Sequence, residues 1–328
     1  MKSFKPYILA IAATLLAAGS YCIAWVNMQD LKDLRALPIA ETVVVSGIYA
    51  SAPVVVDEVP VTLAMSQREV SATIEAVGLL TSTPAQKHWQ KNSKAEALKP
   101  GKSYIAIVID DVGVVADRSK RSIEELPKEV TLSFLPYGDA TAELAKQAYD
   151  LGHEVMIHLP MQPKLSADGY VVDPGEGALY TNLEISEIAP LTALNFKGLS
   201  SIAVGVNNHM GSKFTEWAAG LSEVFKVVEK HELMFLDSVT TANSAAESTV
   251  RQYDIPFLKR NVFLDHVIET DKILQALHKT ERVAKSTGYA IAIGHPHDET
   301  TEAIKLWAKG LEAKNIQLVP ITALIKGK

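Results

Sequence analysis

The sequence predicts an α/β protein built on a parallel sheet covered by helices, and three observations support this prediction. After Lys102, short apolar runs alternate with amphipathic segments of helical period. The runs are almost continuously apolar, which is typical of parallel strands buried on both faces. The chain has 328 residues, 48% of them hydrophobic, and is therefore long enough to bury a large core. The pattern is compatible with an open doubly wound sheet or with a closed or distorted barrel.

The predicted elements follow one another in regular βα order. The strands are the runs YIAIVI, TLSFL, EVMIH, SIAVGV, LMFL and YAIAI. The helices are the amphipathic segments 139–151, 184–196, 214–231, 271–286 and 299–314. Open sheets and barrels of this kind both place function at the carboxyl ends of the strands. The residues that follow the apolar runs are therefore the candidate site residues.

The chain begins with a predicted membrane segment. Lys2 and Lys5 precede an apolar stretch, residues 6–26, which carries no charge and has about the 20 residues that a spanning helix needs. Basic residues before the stretch predict a cytoplasmic N-terminus. We expect residues 1–26 to anchor the protein in the inner membrane with its domain in the periplasm. The alternative is a signal segment cleaved near the small residues 18–20, which would release the protein into the periplasm.

Residues 27–102 are predicted to form a linker or tether, and residues 103–328 the main domain. The linker mixes short β-branched runs with Pro, Ser and charged residues, and shows no sustained helical period. Short strands are compatible with the runs around 43–56 and 70–80. The regular strand pattern begins only at Tyr104, which sets the predicted boundary.

Charge and cysteine content exclude some classes of partner and site. Lys and Arg number 32 against 38 Asp and Glu, a formal net charge of −6, and no basic block with interleaved aromatic residues is present. Nucleic acid is therefore not an expected partner. The single cysteine, Cys22, lies inside the apolar stretch, so an intrachain disulfide or a cysteine zinc site is impossible. A metal would have to be held by His, Asp or Glu.

Carboxylates, amides and imidazoles follow the predicted strands. They are Asp110, Asp111, His158, Asn207, Asn208, His209, Asp237, His295 and His297. Four of the nine histidines stand at these ends, whereas solvated histidines would scatter over helices and loops. Because the carboxyl ends of parallel strands share one edge, these side chains are predicted to collect at one rim.

Each of these residues also has a purely structural interpretation. For Asp111 alone, capping of the following helix is about as good an explanation as metal binding. For His158 alone, a hydrogen-bonded core histidine is a better explanation than a metal ligand. His209 stands in a loop with Gly and Asn, where the two interpretations balance. The adjacency of Asp110 and Asp111 favours a site, because two successive acids repel each other unless a cation or a proton lies between them. Asp265 and His266, after the run RNVFL, are ambiguous and are left outside the predicted site.

The motifs IAIVIDDVG, GHEVMIHLPMQP, GVNNHMGSKFT, FLDS, FLKRNVFLDH and IAIGHPH occur in this order. Together they resemble the divergent polysaccharide deacetylase family, a branch of the NodB-homology carbohydrate esterases, over about residues 104–325. The resemblance implies a distorted (β/α) barrel and a divalent metal, usually zinc. It also implies an activity on N-acetylated sugars.

The resemblance also implies roles for individual residues. Asp110 corresponds to the catalytic base, Asp111 and His158 to metal ligands, and His295 to the general acid, with His297 as an alternative. Where the superfamily has a second histidine ligand, this chain has Gln162, which is a poor zinc ligand. His209 is then the best candidate for the third ligand. Substrate-binding or orienting parts are assigned to Asn208, Asp237 and His297.

The expected function is a metal-dependent hydrolase that removes acetyl groups from N-acetylated sugars of an envelope polysaccharide such as peptidoglycan. Its partners would be the glycan and, through the N-terminal helix, the membrane. One alternative is a catalytically inactive envelope scaffold or glycan-binding protein that retains the metal site, which Gln162 favours. Another is a metal-dependent hydrolase of a different amide, which would need the same residues. The acid pair and the GHPH turn favour a hydrolase.

Overall fold

The structure is a computed structural model that describes residues 9–11, 24–26 and 86–325. The chain divides into two compact units, Met1–Pro84 and Ala85–Lys328. In the first unit, the strands Leu9–Ile11 and Ala24–Val26 pair antiparallel. In the second unit, a parallel sheet is covered by helices.

The predicted membrane helix, residues 6–26, lies mostly outside the described residues. The two described pieces of this stretch are strands, where the sequence predicts helical turns. Within the described ranges, no helix is both long and apolar enough to cross a membrane. The membrane anchor therefore stays a prediction, as does the linker from residue 27 to residue 85.

Nine parallel strands form the sheet of the second unit. They are β1 Ser103–Val112, β2 Thr131–Phe134, β3 Val155–Met161, β4 Ala203–Met210, β5 Met234–Asp237, β6 Phe257–Lys259, β7 Val262–Phe263, β8 Tyr289–Gly294 and β9 Ile316–Leu318. Eight of them run in the order β6-β5-β4-β3-β2-β1-β8-β7, and β9 pairs with the beginning of β1. The predicted parallel sheet is confirmed.

The sheet curls into an incompletely closed barrel. Its two edge strands, β6 and β7, are separated in sequence only by Arg260 and Asn261, so the two edges must lie close together. The Arg260 amide donates to the Asp237 carbonyl at the end of β5 (3.0 Å), whereas the Asn261 amide donates to Ile291 on β8 (2.8 Å). The chain thus crosses the gap in the barrel at these two residues. This is the distorted form of the predicted barrel.

Helices connect the strands and cover the outer face of the sheet, except the first, which precedes β1 and lies at the amino ends of the strands. They are α1 His88–Asn92, α2 Ala116–Glu125, α3 Thr141–Asp150, α4 Ile185–Asn195, α5 Ala218–Lys230, α6 Ala246–Val250, α7 Thr270–Thr287 and α8 Asp298–Ala308. Short 3₁₀ helices occur at Phe214–Glu216, Glu312–Lys314 and Ile321–Leu324. The five predicted helical segments correspond to α3, α4, α5, α7 and α8.

Two apolar clusters lie on the two faces of the sheet. Along β1, Ile105, Ile107 and Ile109 belong to the cluster under the helices, whereas Ala106 and Val108 belong to the cluster inside the barrel. Both sets are fully buried. This burial on both faces explains why the strand reads as a continuous apolar run.

Residues 86–102 belong to the second unit and pack against the rest of it, although the sequence predicts that the linker extends to residue 102. The Trp89 amide donates to the Glu232 carbonyl (3.1 Å), and its side chain packs against the cluster inside the barrel. The Lys94 amide donates to Oε1 of the buried Glu154, just before β3 (3.0 Å). These contacts lie at the amino ends of the strands. The segment therefore covers the end of the barrel opposite to the candidate site.

Candidate metal centre

A β-bulge at the end of β1 positions Asp110 and Asp111. The pairing with β2 shifts register between Ile109 and Val112, so β1 carries one extra residue there. Asp111 has φ 57°, in the left-handed region that non-glycine residues seldom adopt. A bulge re-aims side chains that would otherwise alternate between faces, and strained backbone of this kind clusters at functional sites. Both acids therefore reach the carboxyl-end rim.

Three of the predicted residues converge there through one atom each. Asp111 Oδ1 lies 2.9 Å from His209 Nδ1 and 3.2 Å from His158 Nε2. The two nitrogens are 3.1 Å apart. Donor atoms bound to one zinc ion at about 2.0–2.2 Å are themselves separated by about 3–3.5 Å. Asp111, His158 and His209 thus form a triangle that can hold a divalent metal, and we call it the metal triad.

The state of Asp111 is consistent with a bound cation. Its Oδ1 atom is buried and has no hydrogen-bond partner of good geometry in the part of the chain that the structure describes. Burial would raise the pKa of this carboxyl, but the close contacts and charges of His158 and His209 outweigh it and hold the pKa well below its usual range. An ionised, buried oxygen between two imidazoles is the donor set that zinc prefers without cysteine.

Asn207, which the sequence predicts at the rim without assigning it a role, holds both the Asp110 carboxylate and the His158 imidazole in place. Its Oδ1 accepts from His158 Nδ1 (3.0 Å) and its Nδ2 donates to Asp110 Oδ1 (2.8 Å). A proton on His158 Nδ1 leaves the Nε2 lone pair free for a metal, which is the usual part of an outer-shell partner. Asn207 faces His158 because β4 contains an extra residue between its pairings with Val155 and Met156. Strand periodicity does not predict this extra residue.

The contacts of Gln162 are with residues outside the triad. Its Oε1 accepts from the backbone amide and from the hydroxyl of Thr181, both at 2.8 Å. Its own backbone binds Leu179, Lys213 and Phe214. The side chain therefore fastens the loop after β3, and His209 supplies the third donor atom of the triangle instead.

Asp110 lies beside the triad without belonging to it. It is only 2% exposed, and its Oδ2 lies 3.6 Å from His158 Nε2. Burial raises the pKa of the Asp110 carboxyl above its ordinary range, and the neighbouring His158, His295 and Asn207 offset only part of that effect. With Oδ1 occupied by Asn207, Oδ2 is the oxygen directed to the site.

His295 directly follows β8 and lies beside the triad. It is held by Asp265, a residue left outside the predicted site. Asp265 Oδ1 accepts from His295 Nδ1 (3.0 Å), and Asp265 Oδ2 accepts from the His295 amide (2.6 Å) and from Thr300 Oγ1 (2.8 Å). His295 Nε2 then lies 3.8 Å from Asp111 Oδ2. Burial alone would lower the pKa of the His295 imidazole; hydrogen bonding to Asp265 and the charges of Asp265, Asp111 and Asp110 raise it to about 9.

The remaining predicted residues lie around this centre in different positions. The Asn208 side chain binds the Ser238 amide (2.9 Å) and the Met210 carbonyl (2.8 Å), so it holds two loops together. Asp237 Oδ1 accepts from the Val239 amide (2.8 Å), and the partner of His295 is Asp265, not Asp237. His297 lies at the start of α8, with its ring centroid 6.2 Å from that of His295.

Two adjoining clefts open on the centre. One has a volume of about 500 Å³, and its lining includes Leu135, Tyr137 and His297. The other, of about 540 Å³, includes Asn208 and Arg260. Both are lined by Asp111, His209, Phe263, His266 and His295. These volumes are in the range of small-molecule sites, so a small molecule can reach the triad.

The order of these residues along the chain matches a known family. A sequence model described as divergent polysaccharide deacetylase matches residues 107–325. The chain belongs to the divergent polysaccharide deacetylase family. The resemblance predicted from the motifs is confirmed.

Two relatives and one solved structure are similar to this chain. The uncharacterised protein YibQ of Escherichia coli K12 is 33% identical over 221 residues, which cover 67% of each chain. An uncharacterised protein of Haemophilus influenzae is 30% identical over 66% of this chain and 75% of its own length. The crystal structure of an uncharacterised protein of Agrobacterium tumefaciens C58 superposes with a TM-score of 0.66 and 25% identity, over 74% of this chain and 97% of that one.

Proposed function

We propose that the protein is a metal-dependent hydrolase that removes acetyl groups from N-acetylated sugars of an envelope polysaccharide. The observation that carries the proposal is the metal triad, flanked by a buried carboxylate and by an imidazole of raised pKa. Family membership supports the sugar substrate. The predicted export of the domain supports the envelope as its place of action.

The triad would hold the metal that this chemistry requires. Asp111 Oδ1, His158 Nε2 and His209 Nδ1 would hold it. A divalent metal such as zinc there supplies a Lewis acid, which lowers the pKa of water and polarises an acyl carbonyl. Three protein ligands leave coordination positions free for water and substrate, as in catalytic sites and unlike closed structural ones.

Asp110 acts as the general base. Its Oδ2 is the atom that accepts the proton of the attacking water, because Oδ1 is engaged by Asn207. A carboxyl whose pKa is raised toward the working pH is a better base than an ordinary aspartate. Burial raises the pKa of Asp110 in this direction.

His295 acts as the general acid for the departing amine. Its Nδ1 donates to Asp265, which leaves Nε2 to carry the proton on the side of the triad. Pairing with Asp265 raises the pKa of this imidazole and so favours its protonated form. The two groups have opposite tasks because burial has the largest effect on the pKa of Asp110, whereas His295 is paired with the Asp265 carboxylate.

Acetate release from N-acetylated oligosaccharides and peptidoglycan fragments tests the proposal. The metal-loaded protein should release acetate, and Asp110→Asn and His295→Ala should retain the metal while turnover falls by about 10²–10⁴. Asp150→Asn and His278→Ala are matched controls, since both side chains are more than half exposed on helices. Wild-type protein that binds metal and releases no acetate from any such substrate would favour a glycan-binding role instead.

A further inference from the structure

Arg260 is fixed by three consecutive carbonyl groups at the end of β5. Its amide donates to the Asp237 carbonyl (3.0 Å), its Nε to Ser238 (2.6 Å) and its Nη2 to Val239 (2.8 Å). Its guanidinium carbon lies 5.3 Å from the ring centroid of Phe263, a cation–π contact. The side chain is therefore held in one place, across the gap between β6 and β7.

The turn that presents these carbonyls is itself unusual. Val239 has φ 51°, and a β-branched residue in the left-handed region is a genuine outlier. The Val239 amide donates to Asp237 Oδ1 (2.8 Å), which holds the turn in place. Backbone strain persists only where surrounding contacts over-determine it, and such strain clusters at ligand sites. The fold thus accepts a costly conformation that aims two carbonyls at one guanidinium.

Most of the donors of Arg260 are left over. A guanidinium has five N–H groups, and the carbonyls of Ser238 and Val239 occupy two of them. Among residues 86–325, no carboxylate lies within 4.0 Å of it. The charges of Asp110 and Asp237 act on the Arg260 guanidinium without a direct contact. Oδ1 of Asp110 accepts from Asn207, and Oδ1 of Asp237 accepts from the Val239 amide.

These donors belong to a half-buried side chain that lines the cleft together with Asp110, His158 and His209. A planar fork of N–H groups matches the two oxygens of a carboxylate or a phosphate and binds them with charge-assisted hydrogen bonds. We propose that Arg260 binds an anionic oxyacid group of the sugar, so that the site selects acidic N-acetylated sugars. The inference rests on the proposed function, since it places the acetamide at the metal triad.

Three matched sugars test this inference. N-acetylglucosamine is neutral, N-acetylmuramic acid adds a carboxylate to the same ring, and N-acetylglucosamine 6-phosphate adds a phosphate. We measure the Kd of each for the metal-loaded full-length chain by calorimetry. At least one acidic sugar should bind about tenfold more tightly than the neutral one. The tighter of the two acidic sugars identifies the anion as a carboxylate or a phosphate.

Arg260→Gln should remove this preference, because it weakens binding of the acidic sugar about tenfold more than binding of the neutral one. Arg260→Lys keeps the charge without the fork and should retain part of the preference, which covers the case in which the glutamine variant fails to fold. Arg251→Gln, an exposed arginine on the segment after α6 that pairs with Glu247, is the matched control.

Equal Kd values for the three sugars in wild type, or binding of none of them, would overturn the inference. Equal weakening of all three sugars by Arg260→Gln would also overturn it, and would assign Arg260 to support of Asp110. Binding requires no turnover, so the preference and the hydrolase fail separately. A preference without acetate release leaves the recognition role standing and removes the catalytic one.

Discussion

The side-chain amide of Asn207 links Asp110, the proposed general base, to His158 of the metal triad. Its oxygen sets the tautomer of His158 and its nitrogen holds Asp110, and Ser133 Oγ donates to the same oxygen (2.5 Å). An outer-shell partner of this kind orients a ligand without touching the metal. Asn207 thus belongs to the site although it is not one of the three residues that would bind the metal.

Asn207→Ala should weaken metal binding by about 10–100-fold, because His158 loses the acceptor that fixes its ring and tautomer. Competition with a chromogenic chelator measures this affinity. Asn195→Ala is the control, since Asn195 is also buried and donates to the Gly177 and Leu191 carbonyls, and none of these residues lines either cleft. It should lower stability and leave metal affinity intact. Unchanged affinity in a folded Asn207→Ala protein would contradict the orienting role.

Asp265→Asn should lower the pKa of His295, because the imidazolium loses its paired charge. A general acid works below its own pKa and fails as the pH rises through it, so the alkaline limb of kcat/KM should move to lower pH by about 1 unit or more. A metal on Asp111 offsets the charge of that acid but leaves Asp265 in place. An NMR titration of the His295 ring should move in the same direction.

Asp237→Asn is the matched control for this shift, since the Asp237 carboxylate binds the Val239 amide and not His295. Its alkaline limb should stay where the wild-type limb lies. If Asp237→Asn moved the limb and Asp265→Asn did not, the orienting part would return to Asp237, as the sequence predicted.

The sequence predicted side chains that end strands better than side chains that support them. Asp110, Asp111, His158, His209 and His295 follow apolar runs, and the structure brings them to one rim. Asp265 holds His295 across 30 positions of sequence, and periodicity carries no signal for such a contact. Asn207 depends on a bulge, which is a property of the pairing of two strands.

At the scale of elements, length decided which parts the sequence could predict. The long strands and amphipathic helices were predicted because several periods of burial are visible in them. Strands β6 and β7 have only three and two residues, too few to show an alternation. Their position at the gap in the barrel comes from tertiary contacts alone.

The segment 86–102 shows the same limit for domain boundaries. It lacks periodicity, yet its contacts satisfy the buried Glu154. This carboxylate accepts from the Lys94 amide (3.0 Å) and the Thr322 amide (3.1 Å), and from the hydroxyls of Ser93 and Thr322. Burial raises the pKa of Glu154, and these donors offset part of that effect. An irregular segment can thus belong to a domain through its hydrogen bonds.

A chain that begins at Ser103 should therefore unfold at a temperature about 5–10 °C lower than a chain that begins at Ala85. Removal of 85–102 uncovers apolar surface beneath Trp89 and leaves Glu154 buried with fewer donors. Differential scanning calorimetry of the two fragments measures the difference. Equal midpoints would show that the segment is a linker up to residue 102, as the sequence predicted.

For the whole molecule, the open barrel and the site are parts of one arrangement. The parallel strands bring the triad to one rim, and the gap between β6 and β7 places Arg260 and Phe263 beside it. The opposite end is covered by residues 86–102. Access to the metal triad is therefore from the carboxyl-end rim, where the polar side chains converge.

Metal content of the purified chain tests the central claim most directly. After dialysis against trace divalent metals, plasma emission spectrometry of wild type should find about one ion per chain. His209→Ala should lose it, because a three-ligand site deprived of one ligand loses charge and geometry together. Gln162→Ala should retain it, because Gln162 binds Thr181 instead. Full occupancy in His209→Ala together with loss in Gln162→Ala would contradict the metal triad.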